Sequence, residues 1–431
     1  MTLRNVTISQ LLSESVQRNP DGIALRYFGR GITYAELDRL TDELKIPDEP
    51  LVYMPMPTTE RPADEVADTI TLYLAAAKRG KISVFGMRNA RPLTIPEIVD
   101  GEAILYTSGT TGEPKAIITT NYARINSAAA HVEALGAAAS DRFLMAIPLH
   151  HCFSLTANLA SAITAGATIC IPDDRHTKSL LECIERERCT IFNAVPTVFS
   201  AVTARDDLSD YDISSLRTGF IGGAAYNADF FRKVNDRLDF ALIPGLGQTE
   251  GTAAYTFLPW TEPLKLRAET VGRFMDHIEG KIDTNGEICV KGFCVCRVIG
   301  EPYPEDGWLH TGDVGFIDDE GYVHTTGRLK DIITRGGENI SPAEIEDLIR
   351  SLFPQVREVA VIGVPDEHFG EEVLACIAAV GVTEDEIRSV LSERLPKFKV
   401  PRYFRFFDRL PKTSTGKIAR AELKSIGATQ K

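Results

Sequence analysis

The feature that most constrains the fold is an alternation of short apolar runs with longer helix-forming stretches through the N-terminal part of the chain. The apolar runs cover residues 103–106, 168–171, 192–195 and 218–221, and the helix-forming stretches cover 121–135 and 178–187. Short apolar runs bounded by turn residues predict buried strands, and intervening helices supply the crossovers that parallel strands need. The sequence therefore predicts an α/β fold with largely parallel sheets.

The pattern changes twice toward the C-terminus. From about residue 279, short strands are separated by Gly, Asn and Asp turns, as in GKIDTNGEICVKG, which predicts a small β-rich subdomain. After Gly327, strands are predicted over 359–364 and 373–380 and a helix over 384–395. Because 431 residues exceed what one core usually organises, we expect an N-terminal domain over 1–328 and an α+β C-terminal domain over 329–431.

Prolines interrupt the segment from residue 47 to 64, where we expect a surface connection without long regular structure.

Charge and composition exclude several partners. The chain has 47 basic and 60 acidic residues, and a net charge of −13 does not suit nucleic acid or an anionic membrane. No apolar stretch approaches the roughly 20 residues needed for membrane insertion, and no secretory leader is evident. The eight cysteines have irregular spacing, which favours free thiols. We expect a cytoplasmic protein.

The segment Tyr-Thr-Ser-Gly-Thr-Thr-Gly-Glu-Pro-Lys at 106–115 follows one of the apolar runs directly. Glycines let a backbone approach phosphates closely, hydroxyls donate hydrogen bonds, and a lysine adds positive charge. Pro114 stands where the P-loop of kinases and GTPases requires glycine. The sequence predicts a different phosphate-binding loop, formed by Thr107, Ser108, Gly109, Thr110, Thr111, Gly112 and Lys115.

This segment resembles the signature loop of the adenylate-forming superfamily, which contains acyl-CoA synthetases, peptide-synthetase adenylation domains and luciferases. Further segments resemble the family's other motifs in the same order, over nearly the whole chain: PLHHCF at 148–153, GGA at 222–224, GLGQTE at 245–250, TGD at 311–313, GRLKD at 327–331, RGGEN at 335–339 and PKTSTGK at 411–417. An ordered set of this size is far more specific than one motif. The chain is most similar to AMP-forming acyl- or aryl-CoA ligases.

The resemblance implies a nucleotide site. Beside the phosphate loop, it assigns nucleotide contacts to Gly223, Ala224, Gly245, Leu246, Gly247, Gln248 and Thr249. Glu250 would hold Mg²⁺, for which a carboxylate is a suitable hard ligand. Asp313 would accept hydrogen bonds from both ribose hydroxyls, with Arg328 also reaching the ribose.

The resemblance also implies roles in the reaction. His151 would gate the acyl pocket, and Lys417 would place its charge on the reacting carboxylate and α-phosphate. Lys330 would be the hinge of a mobile C-terminal domain that brings the loop of Gly336, Gly337, Glu338 and Asn339 to the site for thioester formation.

Two features depart from the family pattern. Leu246 stands where an aromatic residue usually stacks on adenine, so the π contribution is lost. Only 105 residues precede Tyr106, which is fewer than the family pattern has, so we expect part of the first subdomain to be trimmed.

The predicted reaction uses ATP and Mg²⁺ to convert a carboxylic acid to an acyl-adenylate, releases pyrophosphate, and transfers the acyl group to coenzyme A. Residues 148–156 include no acidic side chain for a substrate ammonium, which favours an aryl or aliphatic acid over an amino acid. Val195 and Phe220 are expected as apolar pocket walls. One alternative is an enzyme that loads the phosphopantetheine of an acyl or peptidyl carrier protein. A second is a catalytically degenerate binding protein.

Overall fold

The computed structural model describes residues 1–55, 62–86, 102–107, 115–412 and 418–428. The chain divides into two units. Unit 1 contains Met1–Gly280, Cys289–Leu309 and Gly321–Val323, and unit 2 contains Lys281–Ile288, His310–Glu320 and His324–Lys431. The domain boundary at 328/329 stays a prediction.

The helices are α1 (Ile8–Arg18), α2 (Tyr34–Glu43), α3 (Pro62–Lys78), α4 (Asn121–Leu135), α5 (Ser161–Ala165), α6 (Thr177–Glu187), α7 (Pro196–Thr203), α8 (Ala228–Leu238), α9 (Leu264–Glu269), α10 (Pro342–Leu352), α11 (Glu384–Arg394) and α12 (Arg420–Ala428). A π-helix covers Ser154–Ala160, and 3₁₀ turns cover Leu208–Asp210, Thr249–Gly251 and Leu329–Asp331.

The strands are β1 (Ile23–Tyr27), β2 (Arg30–Thr33), β3 (Leu51–Tyr53), β4 (Ile82–Phe85), β5 (Ala103–Thr107), β6 (Lys115–Thr119), β7 (Arg142–Leu144), β8 (Thr168–Cys170), β9 (Ile191–Phe192), β10 (Thr218–Ile221), β11 (Ala241–Pro244), β12 (Thr256–Phe257), β13 (Arg273–Phe274), β14 (Ile278–Ile282), β15 (Glu287–Gly292), β16 (Arg297–Val298), β17 (Leu309–Ile317), β18 (Val323–Arg328), β19 (Ile333–Arg335), β20 (Glu338–Ile340), β21 (Val356–Asp366), β22 (Gly370–Ala379) and β23 (Tyr403–Phe406).

Two sheets organise unit 1. The first has the order β11-β10-β9-β7-β8-β1-β2 and is parallel except for the β1–β2 pair. The second has the order β16-β6-β5-β4-β3, in which β3, β4 and β5 run parallel and β6 is antiparallel to both β5 and β16. A further sheet has the order β14-β15-β17-β18. The predicted α/β fold with largely parallel sheets is confirmed.

Local signals fix helix α4. Its N-cap Thr120 accepts a hydrogen bond from the amide of Ala123, and Gly136 ends the helix in the left-handed conformation at φ 55°. An N-cap hydroxyl and a C-terminal glycine are the usual ends of a helix. The predicted bounds, 121–135, agree with the observed ones.

The proline-rich segment corrects one expectation. Residues 51–53 form β3, which pairs with β4, and Pro62 begins α3. A three-residue edge strand tolerates flanking prolines because they remove no ladder hydrogen bond, and proline is favourable in a first helical turn. A second expected strand, over 192–195, is shorter than predicted: β9 ends at Phe192.

The predicted α+β unit near the C-terminus is built on the long antiparallel pair of β21 and β22. Alternate residues bury opposite faces: Val361 and Ala375 pack in one apolar cluster with residues of α10 and α11, while Ile362 and Leu374 pack in another with Leu423 of α12. Because both faces are covered, these strands read as continuous apolar runs.

None of the helices within the described ranges is long and apolar enough to cross a bilayer.

His131 lies in the core of unit 1. It is 1% exposed, its Nδ1 is 2.7 Å from the carbonyl oxygen of Ser127, and its ring packs edge-on against Phe257 with 4.4 Å between centroids. Burial lowers the pKa of His131 to about 4. The imidazole is therefore neutral in the folded protein at pH 7, and Nδ1 carries the proton donated to Ser127.

This burial predicts acid sensitivity. Below pH 6.5 the unfolded chain protonates His131 while the folded chain does not, so stability is lost as the pH falls from about 6.5 toward 4. His131→Leu should reduce the loss of unfolding free energy between pH 7 and pH 4.5 by about 2.5 kcal/mol, measured by urea unfolding. The exposed His176→Gln is the control, and an unchanged pH dependence in His131→Leu would contradict the prediction.

Candidate active site

Strands β5 and β6 lead into and out of the predicted phosphate loop. Their last described pair is Thr107 with Lys115, so the chain leaves and re-enters the sheet at adjacent positions. Ser108, Gly109, Thr110, Thr111 and Gly112 lie outside the described residues. Two of the predicted phosphate ligands, Thr107 and Lys115, therefore stand side by side at the loop's base.

Lys115 has a partner that the sequence did not indicate. Its Nζ lies 2.7 Å from Oε1 of Glu301, whose side chain is 49% exposed. The amide of Ile299 donates to the carbonyl of Ala116, and β16 pairs with β6, which brings Glu301 to this position. Solvent screens such an ion pair strongly, so a polyanionic ligand can compete for Lys115.

The gate segment, residues 148–153, follows a buried stretch after β7 and turns through a hydrogen bond from the amide of His151 to the carbonyl of Pro148. The rings of His150 and His151 have centroids 4.5 Å apart. Burial, and then the charges of His151 and Arg175, lower the pKa of His150 to about 4. His151 itself is half-buried at the segment's turn.

The loop from Gly245 to Gln248 follows β11, and its glycines are sterically required. A Cβ on Gly245 would lie 2.3 Å from Cε2 of Phe220, and one on Gly247 would lie 1.6 Å from the carbonyl oxygen of Ala253. The backbone of Leu246 donates to Thr256 Oγ1 at 2.9 Å and accepts from the amide of Tyr255 at 2.9 Å. The predicted nucleotide residues here form a tightly packed turn.

The chain continues into the QTE segment, residues 248–253. Thr249 and Glu250 lie on its 3₁₀ turn, and Cys152 Sγ is 3.4 Å from Thr249 Oγ1. The structure thus brings the gate segment against the predicted phosphate-contacting residue. The Glu250 carboxylate is half-buried and forms no ion pair with the described residues, so its oxygens fit a Mg²⁺ ligand.

Gly222, Gly223 and Ala224 follow β10, where an acyl pocket is predicted. Gly223 has φ +83°, and a Cβ there would lie 3.3 Å from Cγ1 of Val195. Phe220 is 3% exposed, and its ring centroid lies 5.2 Å from that of Phe153 at the end of the gate segment. Both predicted apolar walls therefore lie beside predicted site residues.

In unit 2, Asp313 and Arg328 are brought together. Arg328 Nε lies 2.6 Å from Oδ1 of Asp313, whose side chain is 8% exposed, whereas that of Arg328 is 43% exposed. The amide of Asp313 donates to Thr311 Oγ1 at 3.1 Å. The pair presents one buried carboxylate beside an accessible guanidinium.

The remaining C-terminal candidates within the described residues lie on a 3₁₀ turn and on a hairpin. Lys330 is exposed on the 3₁₀ turn Leu329–Asp331. Gly336 and Gly337, with φ +59° and +88°, link β19 to β20 as a two-residue hairpin turn that needs positive φ at both positions. Glu338 and Asn339 are exposed at the start of β20. Lys417 lies outside the described residues.

The packing around Gly247 gives a prediction. Gly247→Ala should destabilise unit 1 by about 3 kcal/mol, because the clash involves backbone that can move only with the QTE segment. Gly300→Ala is the comparison, since its φ of +86° is strained but no atom lies within 4 Å, and about 1 kcal/mol is expected. Urea unfolding measures both, and equal losses would contradict the steric explanation.

Comparison with known proteins shows which family this chain resembles. Residues 53–299, more than half of the chain, match the AMP-binding enzyme family, and residues 344–417 match the AMP-binding enzyme C-terminal domain. The chain is 36% identical over 350 residues to the mitochondrial medium-chain acyl-CoA ligase ACSF2 of Bos taurus, over 74% of this chain and 56% of that protein. It spans 56 to 62% of the length of the first curated relatives it matches.

A solved structure shares the fold over nearly its whole length. The o-succinylbenzoate CoA synthetase MenE of Bacillus subtilis, in complex with its acyl-adenylate intermediate, has a TM-score of 0.81 at 24% identity and covers 98% of this chain and 99% of its own. In complex with ATP and a magnesium ion it has a TM-score of 0.79 at 25% identity, covering 96% and 99%. The resemblance noted from the sequence is confirmed, and the chain belongs to the family of AMP-binding enzymes.

Proposed function

We propose that this protein activates a carboxylic acid with ATP and transfers the acyl group to the thiol of coenzyme A. The observation that carries the proposal is the contact of the gate segment with Thr249, through Cys152. An acid admitted past His151 would then meet the phosphates held by the segment that contains Glu250. The names of the relatives, a CoA ligase and a CoA synthetase with a bound acyl-adenylate, support the same activity.

In the first half-reaction, a carboxylate oxygen attacks the α-phosphorus of ATP and pyrophosphate leaves, which yields an acyl-adenylate. Two anions must approach, so positioning and charge neutralisation dominate. Lys115 would hold phosphate oxygens once Glu301 is displaced, and Lys417 would bind the reacting carboxylate. Mg²⁺ held by Glu250 would reduce the negative charge of the phosphates.

In the second half-reaction, the thiolate of coenzyme A attacks the acyl carbonyl carbon, and AMP leaves. We propose that Lys330 is the hinge that exchanges Lys417 for the Gly336 to Asn339 hairpin. The turn at Gly336 and Gly337 is a tight two-residue turn, and the side chains of Glu338 and Asn339 are exposed. Both features support a role in which this hairpin inserts into the active site.

The apolar surroundings of Phe220 and Val195 support an aryl or aliphatic acid as substrate. We also propose a cytoplasmic location, supported by the cysteines of the described residues, which form no disulfide.

The proposal predicts acid-dependent exchange of labelled pyrophosphate into ATP across a panel of aryl and aliphatic acids. With the best acid, ATP, Mg²⁺ and free coenzyme A, acyl-CoA should form. Lys417→Ala should lose exchange by at least roughly a hundredfold while still converting pre-made acyl-adenylate to acyl-CoA, because only adenylation needs its charge. If pyrophosphate exchange occurs but no acyl-CoA forms, and the acyl group is transferred only after a phosphopantetheinylated carrier protein is added, then the carrier protein is the acceptor. If no acid supports exchange, the proposed activity is refuted.

A second prediction concerns the ribose. Asp313→Ala should weaken ATP binding by roughly ten- to a hundredfold, because two hydrogen bonds to a carboxylate are lost. Isothermal titration calorimetry measures the affinity. Asp318→Ala is the matched control, since that carboxylate pairs with Nε2 of His324 at 2.9 Å. ATP affinity unchanged in Asp313→Ala would refute the assignment.

A further inference from the structure

A buried ion pair lies in unit 1 among α4, β5, β6 and the π-helix. Nε of Arg124 on α4 is 2.7 Å from Oε2 of Glu102, and the two side chains are 0% and 1% exposed. The other guanidinium nitrogens donate to Thr119 Oγ1 at 2.6 Å and Thr156 Oγ1 at 2.9 Å. No sequence motif identified any of these residues.

The pair joins β5 and β6 at the end of these strands that lies away from the phosphate loop. Glu102 directly precedes β5, and Thr119 ends β6. The amide of Glu102 donates to the carbonyl of Thr119 at 2.8 Å, and Thr119 Oγ1 lies 3.2 Å from both the Glu102 carboxylate and the carbonyl of Ala103. Arg124 thus fixes the sheet end opposite the loop.

From Arg124 the network continues to the QTE segment. Thr156 lies on the π-helix that follows the gate segment, and its hydroxyl donates to the carbonyl oxygen of Thr252 at 3.0 Å. The hydroxyl of Thr252 donates to the carbonyl of Cys294 at 2.6 Å. One chain of hydrogen bonds therefore joins the phosphate-loop strands, the gate segment's helix and the turn that presents Thr249 and Glu250.

The backbone at the end of this chain of hydrogen bonds is strained. Thr252 has φ +58° and Ala253 has φ +125°, conformations that residues with a Cβ rarely adopt and a β-branched residue least of all. Such a backbone persists only where surrounding bonds over-determine it. The two hydrogen bonds of Thr252 to Thr156 and Cys294 are bonds of this kind.

We propose that Arg124 and Thr156 are positioning residues that hold the strained QTE segment, and with it the Glu250 carboxylate, in the orientation for Mg·ATP. Guanidinium geometry suits this role, because one planar group donates to three acceptors in fixed directions, whereas a lysine ammonium cannot. The catalytic consequence rests on the proposed function, but the mechanical coupling does not.

The test uses Thr156→Val, which keeps the shape and the Arg124–Glu102 pair but removes the link to Thr252. Amide hydrogen exchange in the nucleotide-free protein should become about tenfold faster at Gly251, Thr252 and Ala253. Thr203→Val is the matched control, because that buried hydroxyl also donates to a backbone carbonyl, of Phe199 at 2.8 Å. Arg124→Lys, which retains the charge opposite Glu102, should behave as Thr156→Val does.

The second readout is pyrophosphate exchange measured against Mg²⁺ concentration. Thr156→Val should raise the half-saturating Mg²⁺ about tenfold and leave the KM of the acid unchanged. The proposal is overturned if amide exchange at Gly251, Thr252 and Ala253 in Thr156→Val is as slow as in the wild type, or if Thr203→Val accelerates it equally. It is also overturned if exchange at these amides becomes faster but the Mg²⁺ dependence does not change. A wild-type protein without pyrophosphate exchange refutes the proposed function instead, and amide exchange alone then decides the coupling.

Discussion

The ion pair of Arg124 with Glu102 is the interaction on which the arrangement of unit 1 most depends. Two charges fully removed from water are costly unless each has its partners, so their geometry is tightly specified. The residues that satisfy them come from β6, the π-helix and the start of β5. A shift of any of these elements would remove a hydrogen bond from a buried charged group, which stabilises their relative positions.

In the loop from Gly245 to Gln248, the conformation is constrained mainly by close packing of the backbone rather than by hydrogen bonds of side chains. At Gly245 and Gly247 the chain passes so close to Phe220 and Ala253 that no Cβ fits. The loop residues are therefore ordered by steric exclusion, while Thr249 and Glu250 project from the turn that follows. Lys115 and Glu301 lie nearer solvent, where their pairing is weak and exchangeable. The site thus combines a rigid frame with ligand-binding charges that remain available.

Unit 2 uses a different principle. Its long β21–β22 hairpin is buried on both faces, so its core does not depend on one amphipathic surface. Its functional candidates lie outside this hairpin: Asp313 is in the middle of β17 and Arg328 at the end of β18, while Lys330 and the Gly336–Gly337 pair lie on turns. Short connections on a well-packed core suit residues that must be presented to a ligand.

The sequence by itself determined the fold class, the bounds of α4 and the order of the motifs, because strand and helix periodicities, an N-cap threonine and a terminal glycine are local signals. It also indicated Asp313 and Arg328, which the structure places 2.6 Å apart. Only the tertiary structure decided that Glu102, Arg124 and Thr156 meet, that Glu301 pairs with Lys115, and that β3 forms among prolines. These features depend on residues far apart in the chain, and local pattern carries no information about which distant partner will satisfy a buried charge.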